Sequence, residues 1–216
     1  MDLQRHALVW LDGRGWQGVL ARPGLDLQAR DCLSHWAEND LPLVVTQQPA
    51  GTTETWQLGL SAPLRWSRRR LWLSVAPEAI AQTGAFPPAA DIAAQLPQTW
   101  RDRWQMLCAE LSAAGADARV YGSHGWQMLS AMTHAGPASD IDLLLRVGGA
   151  VQADAVAAVL EKASTDGPRL DGELLFKSGA ATAWHEWLTW RRRGRGKILV
   201  KRLRSVSLES SPEAIA

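Results

Sequence analysis

Asp140 and Asp142 stand one residue apart in SDIDLLL (Ser139 to Leu145), the most informative stretch of the chain. Side chains on a strand alternate between faces, so both carboxylates are expected to project the same way while Ile141 and Leu143 enter a core. Two carboxylates side by side in a partly dry setting repel, and a divalent cation relieves that repulsion. Mg2+ takes hard oxygen ligands and is typically held by one or two carboxylates plus substrate phosphates. Two such ions can clamp the attacking and leaving oxygens of an in-line phosphoryl displacement. An Asp-x-Asp alone is common on exposed strands and caps, and what gives this one weight lies upstream. In VYGSHGWQ a short strand (Ala118 to Tyr121) runs into Gly122-Ser123 and then into a helix. The free backbone N–H groups of that helix start, with the Ser123 hydroxyl, form a seat for a phosphate, and glycine allows close approach of the ligand.

Further candidates are spread along the second half. RLDGELLF (Arg169 to Phe176) carries Asp171 and Glu173 two apart, again on one face of a strand. Lys201 sits inside the apolar strand ILVKRL, where it either reaches a substrate phosphate or covers the sheet with its stem. His124 and Trp126 follow the Gly-Ser turn; His124 reads as a phosphate donor or base, or as a capping histidine. Trp184, Trp187 and Trp190 recur at helical spacing, which favours core packing over stacking on a base. From Lys177 to Arg204 nine basic residues, Arg192 among them, face Glu186 alone. Arg65, Arg68, Arg69 and Arg70 form a second basic cluster, either a solvated edge or a phosphate contact.

These residues need elements to hold them. The first ~85 residues alternate strands (Ala7 to Leu11, Leu43 to Val45, Trp56 to Leu60, Leu71 to Val75) with a helix over Leu27 to Glu38. Asp12-Gly13 reads as a turn. Pro77, Pro87, Pro88 and Pro97 mark a boundary near 77–98. Beyond it, Thr99 to Ala114 carries an apolar stripe at i, i+4, i+7 and i+11. Strands over Ala118 to Tyr121, Ile141 to Val147, Arg169 to Phe176 and Ile198 to Leu203 then alternate with helices at His124 to Ala131 and Val151 to Ala163. The expectation is an α+β fold of α/β layers, with a smaller β-rich N-terminal domain at 1–88, a catalytic domain at 97–206 and a flexible tail at 207–216.

Composition bounds the function. In 216 residues 23 basic and 22 acidic side chains leave a net charge of +1, so no global field announces nucleic acid or a membrane. A hydrophobic fraction of 46% excludes a disordered chain, and no apolar run approaches the ~20 residues that span a bilayer. Cys32 and Cys108 make neither a disulfide framework nor a zinc pair. With no signal-peptide pattern at the start, a cytoplasmic protein is expected. The 12 tryptophans against 2 Phe and 1 Tyr identify no function by themselves, since Trp can fill the core positions the three aromatics usually share.

The order strand, Gly-Ser, helix, then Asp-x-Asp on a second strand resembles the nucleotidyltransferase fold shared by DNA polymerase beta and many small transferases. VYGSHGWQMLS, ASDIDLLL, LDGEL, AWHEW and ILVKRL, taken in order, resemble more closely the phosphoribosyl-dephospho-coenzyme A transferases of malonate decarboxylase, and HALVWL with a later PLVV is similar to that family's N-terminal domain. The resemblance implies a mixed sheet with helices on one side, Mg2+ held by Asp140 and Asp142, and a third carboxylate from a later strand, Asp171 ahead of Glu173. It gives Gly122, Ser123 and Lys201 to the substrate phosphates. The sixteen residues between Ser123 and Asp140 exceed the spacing of many small members. The implied reaction moves phosphoribosyl-dephospho-CoA from 2′-(5″-triphosphoribosyl)-3′-dephospho-CoA to a serine of the acyl carrier subunit and releases pyrophosphate. The basic run around Arg192 would then steer an acidic carrier. Another small Mg2+-dependent nucleotidyltransferase is the enzyme alternative, and a nucleic-acid-binding module the non-catalytic one; neither a membrane nor nucleic acid is the expected partner.

Overall fold

The computed structural model describes residues 3–51, 54–164 and 169–215. The first half contains β1 (Leu8–Leu11), α1 (Gly13–Leu20), α2 (Leu27–Glu38), β2 (Leu43–Val45), β3 (Trp56–Ser61), β4 (Arg70–Val75) and β5 (Ile80–Gly84). Its strands form an antiparallel sheet in the order β4-β3-β2-β1-β5. Asp12-Gly13 is not a free turn. Asp12 is the N-cap of α1, its carboxylate accepting from the Gly15 N–H at 2.7 Å, and Asp26 caps α2 in the same way through Ala29 at 2.8 Å. Trp16 and Val19 of α1 and Leu33 and Trp36 of α2 then share a buried core with Val9, Leu43 and Leu58, which the register sets on one face of the sheet.

The proline-punctuated stretch holds more structure than a linker. Pro77 opens a 3-10 turn, where its fixed φ fits and its missing N–H costs nothing. β5 follows inside the same stretch and pairs with β1, and a second 3-10 segment covers Ala89–Gln95.

The second half contains α3 (Gln98–Ala113), β6 (Asp117–Tyr121), α4 (Gly122–Ser130), β7 (Ile141–Val147), α5 (Ala150–Ala163), β8 (Leu170–Phe176), β9 (Ala181–Ala183), α6 (Trp184–Arg193), β10 (Ile198–Lys201) and β11 (Val206–Glu209). The six strands lie in the order β11-β10-β9-β8-β7-β6, with β7 and β8 parallel and the other pairs antiparallel. Leu107 and Leu111 of α3, Val156 and Leu160 of α5 and Trp187 of α6 pack on the face that carries Leu143, Leu145 and Leu174. A wholly antiparallel sheet beside a mixed sheet with helices on one face places the chain in the α+β class.

Of the segment expected as a flexible tail, 207–216, the described residues 207–215 supply most of edge strand β11 and include the fully buried Ile215, and residue 216 lies outside the described residues. Arg202 pairs with Glu209 at 3.1 Å, and the Ser178 hydroxyl donates to the Ile215 carbonyl at 2.6 Å. The second contact, across 37 positions, lies outside the reach of local sequence pattern.

The N-terminal half contacts the face of the mixed sheet opposite the helices. Tyr121, Trp126 and Leu203 join its core. Gln48 N–H donates to the Leu203 carbonyl at 2.7 Å, and Arg204 donates to the carbonyls of Pro49 and Gly51 at 3.1 and 2.7 Å. No helix of the described residues is long and apolar enough to cross a membrane.

Candidate active site

Asp142 is the second residue of β7, and the sheet register sets Tyr121 of β6 on one side of it and Asp171 of β8 on the other. With side chains alternating, Asp142 and Leu144 on β7 share a face with Asp171, Glu173 and Leu175 on β8. This is the face away from the helices. Gly122, at the bend from β6 into α4, has φ +59°, and a Cβ there would lie 2.7 Å from Cγ of Asp142. A left-handed backbone costs an L-residue roughly 1–2 kcal/mol, and here the side chain would also strike the carboxyl group. Only glycine lets the bend close on Asp142. Gly172, between Asp171 and Glu173, has φ +143°, and a Cβ there would lie 2.7 Å from the Leu143 nitrogen. Its N–H donates to Oδ1 of Asp171 at 2.7 Å and so orients that carboxylate.

The electrostatics differ from one acid to the next. Burial pushes Asp142 up to about 6, with the charges of Asp171 and Asp140 adding to it and those of Arg169 and Arg70 opposing. Asp140 precedes the strand, which begins at Ile141. Its carboxylate is held by both arms of the Arg169 guanidinium, and that hydrogen bonding lowers it below the ordinary carboxylate range. The two aspartates are therefore neighbours in unlike settings, one half-buried in the sheet and one paired at its rim. Among the described residues no group of three or more His, Cys, Asp or Glu is already gathered as a metal cage.

Glu173 belongs to a different assembly. It is 5% exposed and accepts from Arg5 Nη1 at 3.2 Å and Lys201 Nζ at 2.9 Å, with His6 Nε2 at 3.1 Å. Burial acts to raise Glu173, but the bond from His6 and the charges of Arg5 and His6, with the bond from Lys201, hold it far below the usual range. His6 adopts φ +64°, an uncommon backbone for a residue with a Cβ, and its ring lies 4.7 Å from that of Tyr121. Burial first, then the charges of Glu173, Asp142 and Asp171, raise the Tyr121 phenol. Asp171 is more open: its side chain is 47% exposed and His185 Nδ1 stands 4.0 Å away.

The structure thus brings Gly122, Asp142 and Asp171 together, with Asp140 at the rim and Ser123 half-buried in the first turn of α4. Lys201 is engaged by Glu173. His124 is buried beside Gln95, its Nδ1 3.4 Å from Oε1, and burial lowers its pKa. Trp126 is 3% exposed, edge-on to Phe86 and stacked with His134. Arg192 projects from α6 and pairs with Glu161 of α5 at 2.6 Å, while Arg191 pairs with Asp154 at 2.7 Å. Two of the nine basic residues in the run, Arg191 and Arg192, are therefore matched by acids of α5, on the helix-covered side of the sheet. Trp184, Trp187 and Trp190 are buried in the core. Arg5, His6 and Arg169 carried no local signal: the first two lie 168 and 167 positions from their carboxylate.

Residues 86–212 match the family model described as the phosphoribosyl-dephospho-CoA transferase MdcG C-terminal domain, and residues 4–86 match that of its N-terminal domain. A phosphoribosyl-dephospho-CoA transferase of Bradyrhizobium diazoefficiens is 31% identical over 206 residues, 94% of this chain and 88% of the relative. One from Xanthomonas campestris pv. campestris is 31% identical over 186 residues, and one from Xanthomonas euvesicatoria pv. vesicatoria 33% over 189, each alignment covering 85% of this chain and 84% of the relative. No solved structure matches the chain significantly.

Proposed function

The chain belongs to the phosphoribosyl-dephospho-CoA transferase family, and we propose that it takes the group from 2′-(5″-triphosphoribosyl)-3′-dephospho-CoA and attaches it to a serine of the malonate decarboxylase acyl carrier subunit. The coarser statement, an enzyme that transfers phosphoribosyl-dephospho-CoA, follows from membership itself. One observation carries the finer reading: a half-buried aspartate, raised by burial and then by the neighbouring carboxylates, wedged between a glycine bend and a second aspartate.

In this reading the serine oxygen attacks the α-phosphorus of the donor in line. An O–P bond forms, the bond to the β-phosphate oxygen breaks, and pyrophosphate departs with its electron pair. The serine proton passes to Asp171, the more open of the two sheet carboxylates. Gly122 and Ser123 at the start of α4 offer backbone N–H groups and a hydroxyl to the phosphates. The donor set suits Mg2+: the side chains around Asp142 are hard oxygen donors, and among the described residues none forms an ion pair with Asp142 to relieve its repulsion from Asp171. Asp142 would hold the ion, joined by Asp140 on release from Arg169, and its charge would offset that growing on the pyrophosphate. Both cysteines are free, in keeping with a cytoplasmic setting.

The test is intact-mass spectrometry of the purified carrier subunit after incubation with the enzyme, the donor and Mg2+. A gain of one phosphoribosyl-dephospho-CoA is expected, and none on a carrier whose acceptor serine is alanine. A carrier left unmodified while the donor remains intact refutes the assignment.

A further inference from the structure

Trp72 alone of the twelve tryptophans is exposed, at 68%. It lies on β4, where Leu71, Leu73 and Val75 turn into the N-terminal core and Arg70, Trp72 and Ser74 alternate onto the other face. Its partner across the ladder is Gly59 of β3, and a Cβ on that glycine would lie 3.9 Å from the indole Cδ1. No side chain therefore stands beside the ring at that position. Among the described residues the indole joins no ring pair or cation contact, unlike Trp36, Trp56, Trp66 and Trp126.

The arginines next to it have separate fates. Arg65 lies over the Trp66 ring and 3.7 Å from Asp31, and Arg69 pairs with Asp26 at 2.7 Å. Arg68 reaches toward Gly136 in the loop before the Asp-x-Asp strand. Among the described residues the Arg70 side chain forms no hydrogen bond or ion pair, and its charge opposes the rise of the Asp142 carboxyl. The hairpin bearing it is fastened to the catalytic half by the Leu64 N–H, which donates to the Thr133 carbonyl at 2.9 Å. An unpaired guanidinium and a bare indole thus share one face, about 7 Å apart along the strand, and the charge of that guanidinium acts on Asp142.

We propose that Arg70 and Trp72 form the nucleotide subsite of the donor, the guanidinium pairing with a phosphate oxygen and the indole stacking on the adenine. The assignment rests on the transfer reading for the identity of the donor. Arginine suits phosphate through its planar fork of donors, and an exposed aromatic face suits any base. The N-terminal half thereby contributes binding groups to a reaction whose carboxylates all lie in the other half.

Isothermal titration of 3′-dephospho-CoA and, separately, of tripolyphosphate into the full chain tests it. Trp72→Ala is expected to weaken dephospho-CoA about 5- to 150-fold, the range for losing one base–aromatic stack, and to leave tripolyphosphate unchanged. Trp72→Phe should restore most of the loss. Arg70→Gln should weaken tripolyphosphate, whereas Arg69→Gln, which removes the partner of Asp26, should weaken neither probe. Wild-type affinity for dephospho-CoA in Trp72→Ala, or no binding of it by the wild type, overturns the subsite. Normal binding of both probes with the carrier unmodified overturns the transfer reading instead and leaves the subsite standing.

Discussion

Replacing Asp142 by Asn should abolish transfer and at the same time make the protein more stable. The carboxyl rises from 3.8 to about 6 because burial and the charges of Asp171 and Asp140 penalise its ionised form. At 1.36 kcal/mol per pH unit that rise corresponds to about 3 kcal/mol, and the remaining solvent contact of this half-buried group reduces it to about 1–2 kcal/mol. The sign follows from proton counting. Between pH 3.8 and 6 the folded state binds more protons at this site than the unfolded state, so stability falls as pH rises through that window and the full penalty stands above it. Asparagine keeps the shape and carries no charge. Urea unfolding of both proteins in metal-free buffer should show Asp142→Asn ahead by about 1–2 kcal/mol at pH 7.5, with the gap closing as pH falls toward 4. A variant less stable than the wild type at pH 7.5, or a gap that does not change with pH, refutes the argument that Asp142 is held under electrostatic repulsion.

Two further substitutions probe the frame around that acid. Gly122→Ala should cost roughly 1–2 kcal/mol for its left-handed backbone, displace the Asp142 carboxyl that its Cβ would strike, and lower the transfer rate at least ten-fold; an unimpaired rate at saturating donor would show that the bend does not position the acid. Glu173→Ala should destabilise the fold by about 3 kcal/mol, near the lower bound for breaking a buried ion pair, since the side chain of Lys201 is 39% exposed and can turn to water. Denaturant midpoints check it, and a loss below about 1 kcal/mol would mean that Arg5, His6 and Lys201 find other partners.

Much of the fold was legible because local pattern and tertiary role agree. Leu27 to Glu38, Leu43 to Val45 and Ile141 to Val147 form with the boundaries their apolar spacing predicts. Elements whose reason for existing lies elsewhere in the chain were not legible. β9 and β11 are short strands that extend a sheet already begun, and α1 was hidden because Asp12-Gly13 is equally a turn and a helix cap. The same distinction separates the site residues. The Asp-x-Asp pair, the Gly-Ser bend and Asp171 are set by short motifs, and the sheet register places Asp142 beside Asp171. The partners of Lys201 and Arg192 depend on Glu173 and Glu161, acids some thirty positions away, which no local window contains.

Trp126 sits four residues beyond the bend that touches Asp142, yet its ring is buried among Phe86, Trp36 and His134, in the core of the other half. The helix that presents the glycine bend is thus a shared wall. Cutting the chain near residue 86 would expose buried apolar surface on both fragments and leave Glu173 without two of its three side-chain partners. The two regions matched by separate family models share one buried aromatic seam, so replacing either by a foreign counterpart is expected to require carrying those contacts along.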